Sequence, residues 1–164
     1  MAIQKKTVDI VYFSRTGTTR KVSEMLFKEL SKRVEVNLIE IKPKRNYPYP
    51  IWLFLSFIPH LGVSITCKEV ASEIVFLCMP KWTFNCPPIT AFLKRADLKR
   101  KTVYAAITYG GFDVKRYAEN YRQKIENVCD VVEDLILVKR NQIGTREEEI
   151  KSWLKKTIKN LNDS

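Results

Sequence analysis

Three stretches of this chain, residues 8–13, 74–79 and 103–108, are short, apolar almost without interruption and rich in strand-forming side chains. A strand that alternates polar and apolar residues leaves one face in water, whereas one that does not is buried on both faces. Helices must then supply the cover. Val22, Met25, Leu26 and Leu30 recur at helical spacing up to about Arg33. Pro87 and Pro88 open a second helix carrying Ile89, Phe92 and Leu93. Asp113 is placed to cap a third, with Val114, Tyr117, Ala118, Tyr121, Ile125 and Val128 on one face. A fourth has Thr145 and Glu148 as a capping box and Ile150, Trp153, Leu154, Ile158 and Leu161 facing inward.

Two more strands complete the pattern. Residues 131–138 form one, and in the other Val34, Val36 and Leu38 alternate with Glu35 and Asn37, as a half-exposed edge strand does. Strands alternating with helices predict an α/β fold: a three-layer, doubly wound, five-stranded parallel sheet in the order 2-1-3-4-5, with right-handed crossovers. Ligands bind such sheets beyond the carboxyl ends of the strands, here at the switch point between strands 1 and 3. With 164 residues, positions 1–164 read as one domain, with an apolar insertion around 47–63.

That insertion runs from Tyr47-Pro48-Tyr49-Pro50 through Ile51, Trp52, Leu53, Phe54 and Leu55 to Pro59. It is well short of the roughly 20 residues that span a bilayer, and its prolines limit a helix to about two turns. Two readings stand. The segment packs on the sheet or on another subunit, which leaves an oligomer open, or it meets a membrane surface or a quinone. Lys42, Lys44 and Arg45 beside it suit an anionic lipid surface.

Lys and Arg number 29 against 18 Asp and Glu, a net charge of +11. Such a field speeds encounter with anionic partners. The basic runs at 42–45, 94–101 and 151–159 read as solvated faces, and no nucleic-acid motif accompanies them, so no nucleic-acid partner is expected. Cys67, Cys78, Cys86 and Cys129 make no C-x-x-C pair, and His60 is the single histidine, so no metal site is expected. Free thiols suit a cytoplasmic location. Residues 1–7 carry charge, but the apolar run after them is too short for a secretory signal and contains Asp9.

The first strand ends in Ser14-Arg15-Thr16-Gly17-Thr18-Thr19, directly before a helix. Backbone N–H groups at a helix start attract an anion, glycine permits a tight turn, and four hydroxyls surround the point. The cup suits a phosphate monoester. It lacks the lysine of a G-x-x-x-x-G-K-[ST] loop and the glycines of G-x-G-x-x-G. A plain Ser/Thr helix cap is the simpler alternative.

Taken together, three segments resemble the flavodoxin family. Ser14-x-Thr16-Gly17-x-Thr19 is similar to that family's FMN phosphate loop. The run from Cys78 through Pro80, Trp82 and Pro87-Pro88 to Phe92-Leu93 resembles the segment after its third strand, and Thr108-Tyr109-Gly110-Gly111 lies where its third FMN loop lies. The resemblance implies FMN as cofactor. Its phosphate would lie on Ser14, Arg15, Thr16, Gly17, Thr18 and Thr19. Pro80, Lys81, Trp82, Thr83, Phe84 and Asn85 would line the isoalloxazine, with Trp82 as ring neighbour, and Tyr109, Gly110, Gly111 and Phe112 would close the other side. The chain has no glycine among Thr83, Phe84 and Asn85 where many members carry one; Asn85, tolerant of unusual backbone angles, is the residue able to substitute.

The expected function is an electron carrier cycling FMN between redox partners, and the basic chain suits acidic ones. It requires no catalytic residue, and none is apparent. The alternatives are an FMN-dependent oxidoreductase acting on a quinone or porphyrinogen, or a flavin-free binding module in which Phe84 fills the ring site.

Overall fold

Near-continuous apolar runs become the centre of a parallel sheet. The computed structural model describes residues 6–163, with side chains through Lys159. Residues 1–5 of the charged N-terminal stretch, and the side chain of Leu161, lie outside the described residues. In chain order, β1 (Thr7–Tyr12), α1 (Thr18–Leu30) and β2 (Glu35–Glu40) are followed by the two-residue strand β3 (Lys42–Pro43), α2 (Tyr49–Ser56) and the two-residue strand β4 (Ile65–Thr66). Then come β5 (Ile74–Pro80), α3 (Pro87–Arg95), β6 (Thr102–Tyr109), α4 (Val114–Glu126), β7 (Val131–Lys139), a 3₁₀ turn (Arg140–Gln142) and α5 (Glu147–Asp163).

The main sheet has the order β2-β1-β5-β6-β7, and every pairing in it is parallel. Counted along the chain, these are strands 2-1-3-4-5, the expected order. Alternate residues of the buried strands feed opposite faces. On one face Val8, Ile10, Phe76, Cys78, Tyr104 and Ala106 meet Val22, Leu26 and Leu30 of α1 and Ile150 and Leu154 of α5. On the other, Val11, Val75, Leu77, Val103 and Ile107 meet α3 and α4 through Ile89, Phe92, Tyr117, Tyr121 and Ile125. Each large side chain buried in this way contributes about 1.5–3 kcal/mol by its transfer from water. Phe76 and Tyr104 stack at 4.9 Å, with Trp153 edge-on at 5.7 Å from Phe76.

Asp9 is a buried acid in the middle of β1, and it is fully engaged. The backbone N–H groups of Ala71 and Ser72 each donate to its carboxylate at 2.9 Å, and Asn37 Nδ2 donates at 2.8 Å. It therefore anchors the approach to β5, a role that its place in an apolar run does not announce.

Two expected caps differ. Asp113 stands at the N-cap of α4, but with φ of 61° and no side-chain cap bond. Its left-handed backbone is not the extended one that capping requires, and its carboxylate pairs with Arg116 at 2.7 Å instead. The Thr145–Glu148 box does not form either: α5 starts at Glu147, and the Thr145 hydroxyl donates to the Gln142 carbonyl at 3.1 Å. Glu147, Glu148 and Glu149 still place negative charge at the positive end of that helix.

Candidate functional site

At the carboxyl edge of the sheet, residues 13–17 cross from β1 to α1. Gly17 makes the turn with φ of 89°, and a Cβ there would meet nothing within 4 Å, so backbone angle rather than space calls for glycine. Its N–H donates to Ser14 Oγ at 3.0 Å. The Thr16 and Thr18 hydroxyls lie 3.5 Å apart, and α1 begins without a side-chain cap. The positive end of α1 therefore faces a group of hydroxyls. Thr19 is buried, and its hydroxyl lies 2.7 Å from that of Thr108 at the end of β6, fastening the loop across the sheet.

The loop after β5 is held differently, by remote elements. Lys81 N–H donates to the Thr108 carbonyl at 2.7 Å, and the Tyr117 hydroxyl of α4 donates to the Pro80 carbonyl at 3.1 Å. Phe84 and Asn85 N–H groups both donate to the Ser56 carbonyl at the end of α2, at 3.1 and 3.0 Å, and the Ser56 and Thr83 hydroxyls are hydrogen-bonded. Trp82 meets Phe13 edge-on at 5.5 Å and Trp52 of α2 at 5.6 Å. Trp52 is 2% exposed, so the insertion sends one side of its helix inward, against this loop.

Between these loops lies a cavity of about 550 Å³, within the usual range for small-ligand sites. Its wall contains Ser14, Arg15, Thr16, Thr18 and Thr19 from the first loop, and Pro80, Lys81, Trp82 and Thr83 from the second. Gly111 and Phe112 come from the third. Arg15, Lys81 and Arg140 are its charged members; no Asp, Glu, His or Cys is among the lining residues. Arg140 comes from just beyond β7 and passes over Gly110, where a Cβ would stand 3.4 Å from its guanidinium carbon.

Five of the expected site residues stand off the wall. Gly17 shapes the first loop from behind. Phe84 does not fill the ring site: it packs on Phe57 at 5.8 Å, under the Arg116 guanidinium at 5.6 Å, and is partly exposed. Tyr109 lies beside the cavity, since successive strand residues face opposite ways and Thr108 takes the inward position, and Gly110, just past the strand, lies against the Arg140 guanidinium. Asn85 is not the stand-in for a flexible glycine. Its backbone is not left-handed, and its amide is fully used. Nδ2 donates to the Ile58 and Leu61 carbonyls at 3.1 and 2.8 Å, and Oδ1 accepts from Thr90, Tyr121 and Lys124. Both tyrosine hydroxyls in this region, Tyr117 and Tyr121, are pushed well above their usual range, chiefly by burial. Burial also lowers Lys124.

The expected site residues do not include Arg140, nor Thr108 although it begins the third-loop motif, nor the individual α2 residues Tyr49, Trp52, Leu53 and Ser56, although the insertion that holds them could face a quinone. Thr108 and Arg140 carried a usable signal, since both lie at carboxyl ends of strands. The α2 residues carried only their aromatic and apolar character.

Comparison with known proteins agrees with this geometry. A family model described as Flavodoxin matches residues 62–157, which take in the second and third loops but not the first. An uncharacterised protein of Archaeoglobus fulgidus is 41% identical over 152 residues, 93% of this chain and 99% of that protein. Among solved structures, a candidate flavoprotein of Bacteroides uniformis has a TM-score of 0.73 at 19% identity, covering 93% of this chain and 99% of its own. A flavoprotein of Lactobacillus acidophilus, solved in complex with FMN, has a TM-score of 0.63 at 19% identity, covering 90% and 99%.

Proposed function

This chain belongs to the flavodoxin family, and from that premise we propose that it binds FMN in the carboxyl-edge cavity and carries electrons between redox partners through it. The observation that carries the reading is the cavity's composition: a hydroxyl-rich helix start at one end, tryptophan at the other, and three cations with no acid in the wall. That donor set fits FMN, whose phosphate is an anion and whose ring is flat and aromatic. The Lactobacillus acidophilus flavoprotein, solved with FMN, shares the fold.

Ser14, Thr16, Thr18 and the first amides of α1 would hold the phosphate. Trp82, braced by Trp52 and Phe13, offers the ring a large apolar contact area. Bound FMN supplies the electron transfer, and the protein supplies placement and field. Arg15, Lys81 and Arg140 favour whichever bound form is more negative, each by on the order of 1 kcal/mol near the surface. The wall contains no carboxylate, imidazole or thiol, and Lys81 and Tyr49 are its only groups able to exchange a proton, a sparse set that suits a carrier.

FMN titration of the purified protein, followed by absorbance and quenching of flavin fluorescence, tests this. Saturable binding is expected, weakened about tenfold or more by Thr16→Val with Thr18→Val. No binding at high micromolar FMN would sink the reading. One observation favours a second reading, an oxidoreductase acting on a quinone: exposed Tyr49, Leu53 and Phe112 stand at the cavity wall. NAD(P)H-driven turnover of a soluble quinone separates the two.

A further inference from the structure

The exposed apolar side chains of this protein are unevenly distributed. Phe54 is 68% exposed and Phe112 is 89% exposed, and Tyr49, Ile51, Leu53, Phe57, Ile58 and Phe84 join them around the cavity mouth and the outer side of α2. Among the described residues, the other large exposed apolar side chains are Phe27 and Val131. A cluster of this kind marks a contact surface rather than the usual scatter. Phe57 and Phe84 touch, and Leu53 and Phe112 share the cavity wall, so the patch is continuous with the mouth.

The charge around it is of one sign. Asp and Glu are absent from residues 10–23, 41–68, 74–96, 98–112 and 135–146, so that of the segments directly following the carboxyl ends of the main-sheet strands only the one after β6 carries an acid, Asp113. The acids that border this end are occupied: Asp113 pairs with Arg116, and Glu40 with Arg20 and Lys42. Cations reach into the patch itself, with Arg15 over Tyr49 at 5.3 Å and Arg116 over Phe84. Lys44 and Arg45 precede α2, and Lys94 donates to the His60 carbonyl just after it at 2.6 Å.

We propose that this face docks on an anionic lipid bilayer. Aromatic and aliphatic side chains on a short helix suit the acyl boundary, while a ring of Lys and Arg suits negative headgroups. The helix itself carries no charge, so nothing on its outer side opposes shallow insertion. A second copy is a poorer occupant, because two chains of +11 repel at this face. Among the described residues no helix is long and apolar enough to cross a membrane, so the contact is peripheral. Docking there turns the cavity mouth toward the lipid. The inference rests on the surface alone and not on the redox reading.

Cosedimentation with vesicles tests it. The protein is expected to pellet with an equal mixture of phosphatidylcholine and phosphatidylglycerol, to stay in solution with phosphatidylcholine alone, and to bind less as salt rises. Phe54→Ser with Phe57→Ser should weaken binding about tenfold or more, and Lys44→Glu with Arg45→Glu should weaken it as well. Both pairs are exposed or outside the cavity wall, so far-UV circular dichroism and FMN titration should be unchanged, and a failure of docking would leave the redox reading standing. Absence of binding to the mixed vesicles overturns the proposal. So does binding that is indifferent to the Phe54 and Phe57 changes, which would be charge alone. A dimer that those changes dissociate, without vesicle binding, would assign the patch to a second copy.

Discussion

The loops after β1 and β5 border one cavity and follow equally buried strands, yet they are built in opposite ways. The first is held mostly from within: Gly17 to Ser14, Thr16 beside Thr18, and Lys21 N–H to the Gly17 carbonyl. Its long-range side-chain tie is Thr19 to Thr108, and the Phe13 N–H donates along the sheet to the Cys78 carbonyl at 3.2 Å. The second is held from outside, by the end of α2 through the Ser56 carbonyl, by α4 through Tyr117, and by the amide of Asn85. A loop held by its own residues keeps its shape when its surroundings change. One held by remote elements moves with them.

Breaking Asn85 should have the largest effect. Asn85→Ala strands the Ile58 and Leu61 carbonyls and the partners of Oδ1, and should lower unfolding free energy by about 3 kcal/mol. Urea denaturation measures it, and a loss below about 1 kcal/mol would show that the remote ties carry little. High pH is the next probe, because the second loop depends on tyrosine hydroxyls. Burial keeps Tyr117 and Tyr121 protonated above their ordinary 10.0. The folded state then holds protons that the unfolded state has lost. Their contribution is intact below about pH 10 and falls above it by about 1.4 kcal/mol per pH unit for each tyrosine. Cys78, pushed up to about 12 by burial, begins to act in the same direction nearer its ordinary 9.0. Thermal melts from pH 8 upward should show the decline, with a shallower slope in Tyr117→Phe; an identical slope would remove that hydroxyl from the account. Thr19→Val is the smallest change. It deletes the first loop's remote tie beside buried Thr108 and should cost about 1 kcal/mol, read by the same denaturation.

The same contrast explains what was legible in the sequence. Strand order, helix faces and the turn at Gly17 follow from periodicity and from short-range chemistry, which a linear reading can see. Asn85 could not be read in this way, because the five partners of its amide come from the turn after α2, from α3 and from α4. The insertion showed its length and apolarity, but not that Trp52 would face inward while Phe54 faced water. The capping box failed for a related reason: Thr145 found a nearer acceptor in the turn that brings Arg140 to the cavity.

The antiparallel pair β3 and β4 has a consequence for how such a protein can change over evolutionary time. Lys42 faces Thr66, Pro43 faces Ile65, and Lys44 N–H donates to the Ser64 carbonyl at 2.9 Å. The chain therefore leaves and returns at one point, and everything between is an excursion clasped at its base. Lengthening a flexible connection costs only about 0.6 kcal/mol per doubling, and no parallel strand pairing passes through this one. Its outer surface can be exchanged while the sheet stays as it is, resetting what the cavity mouth faces, provided the replacement keeps acceptors where Ser56, Ile58 and Leu61 now hold the second loop.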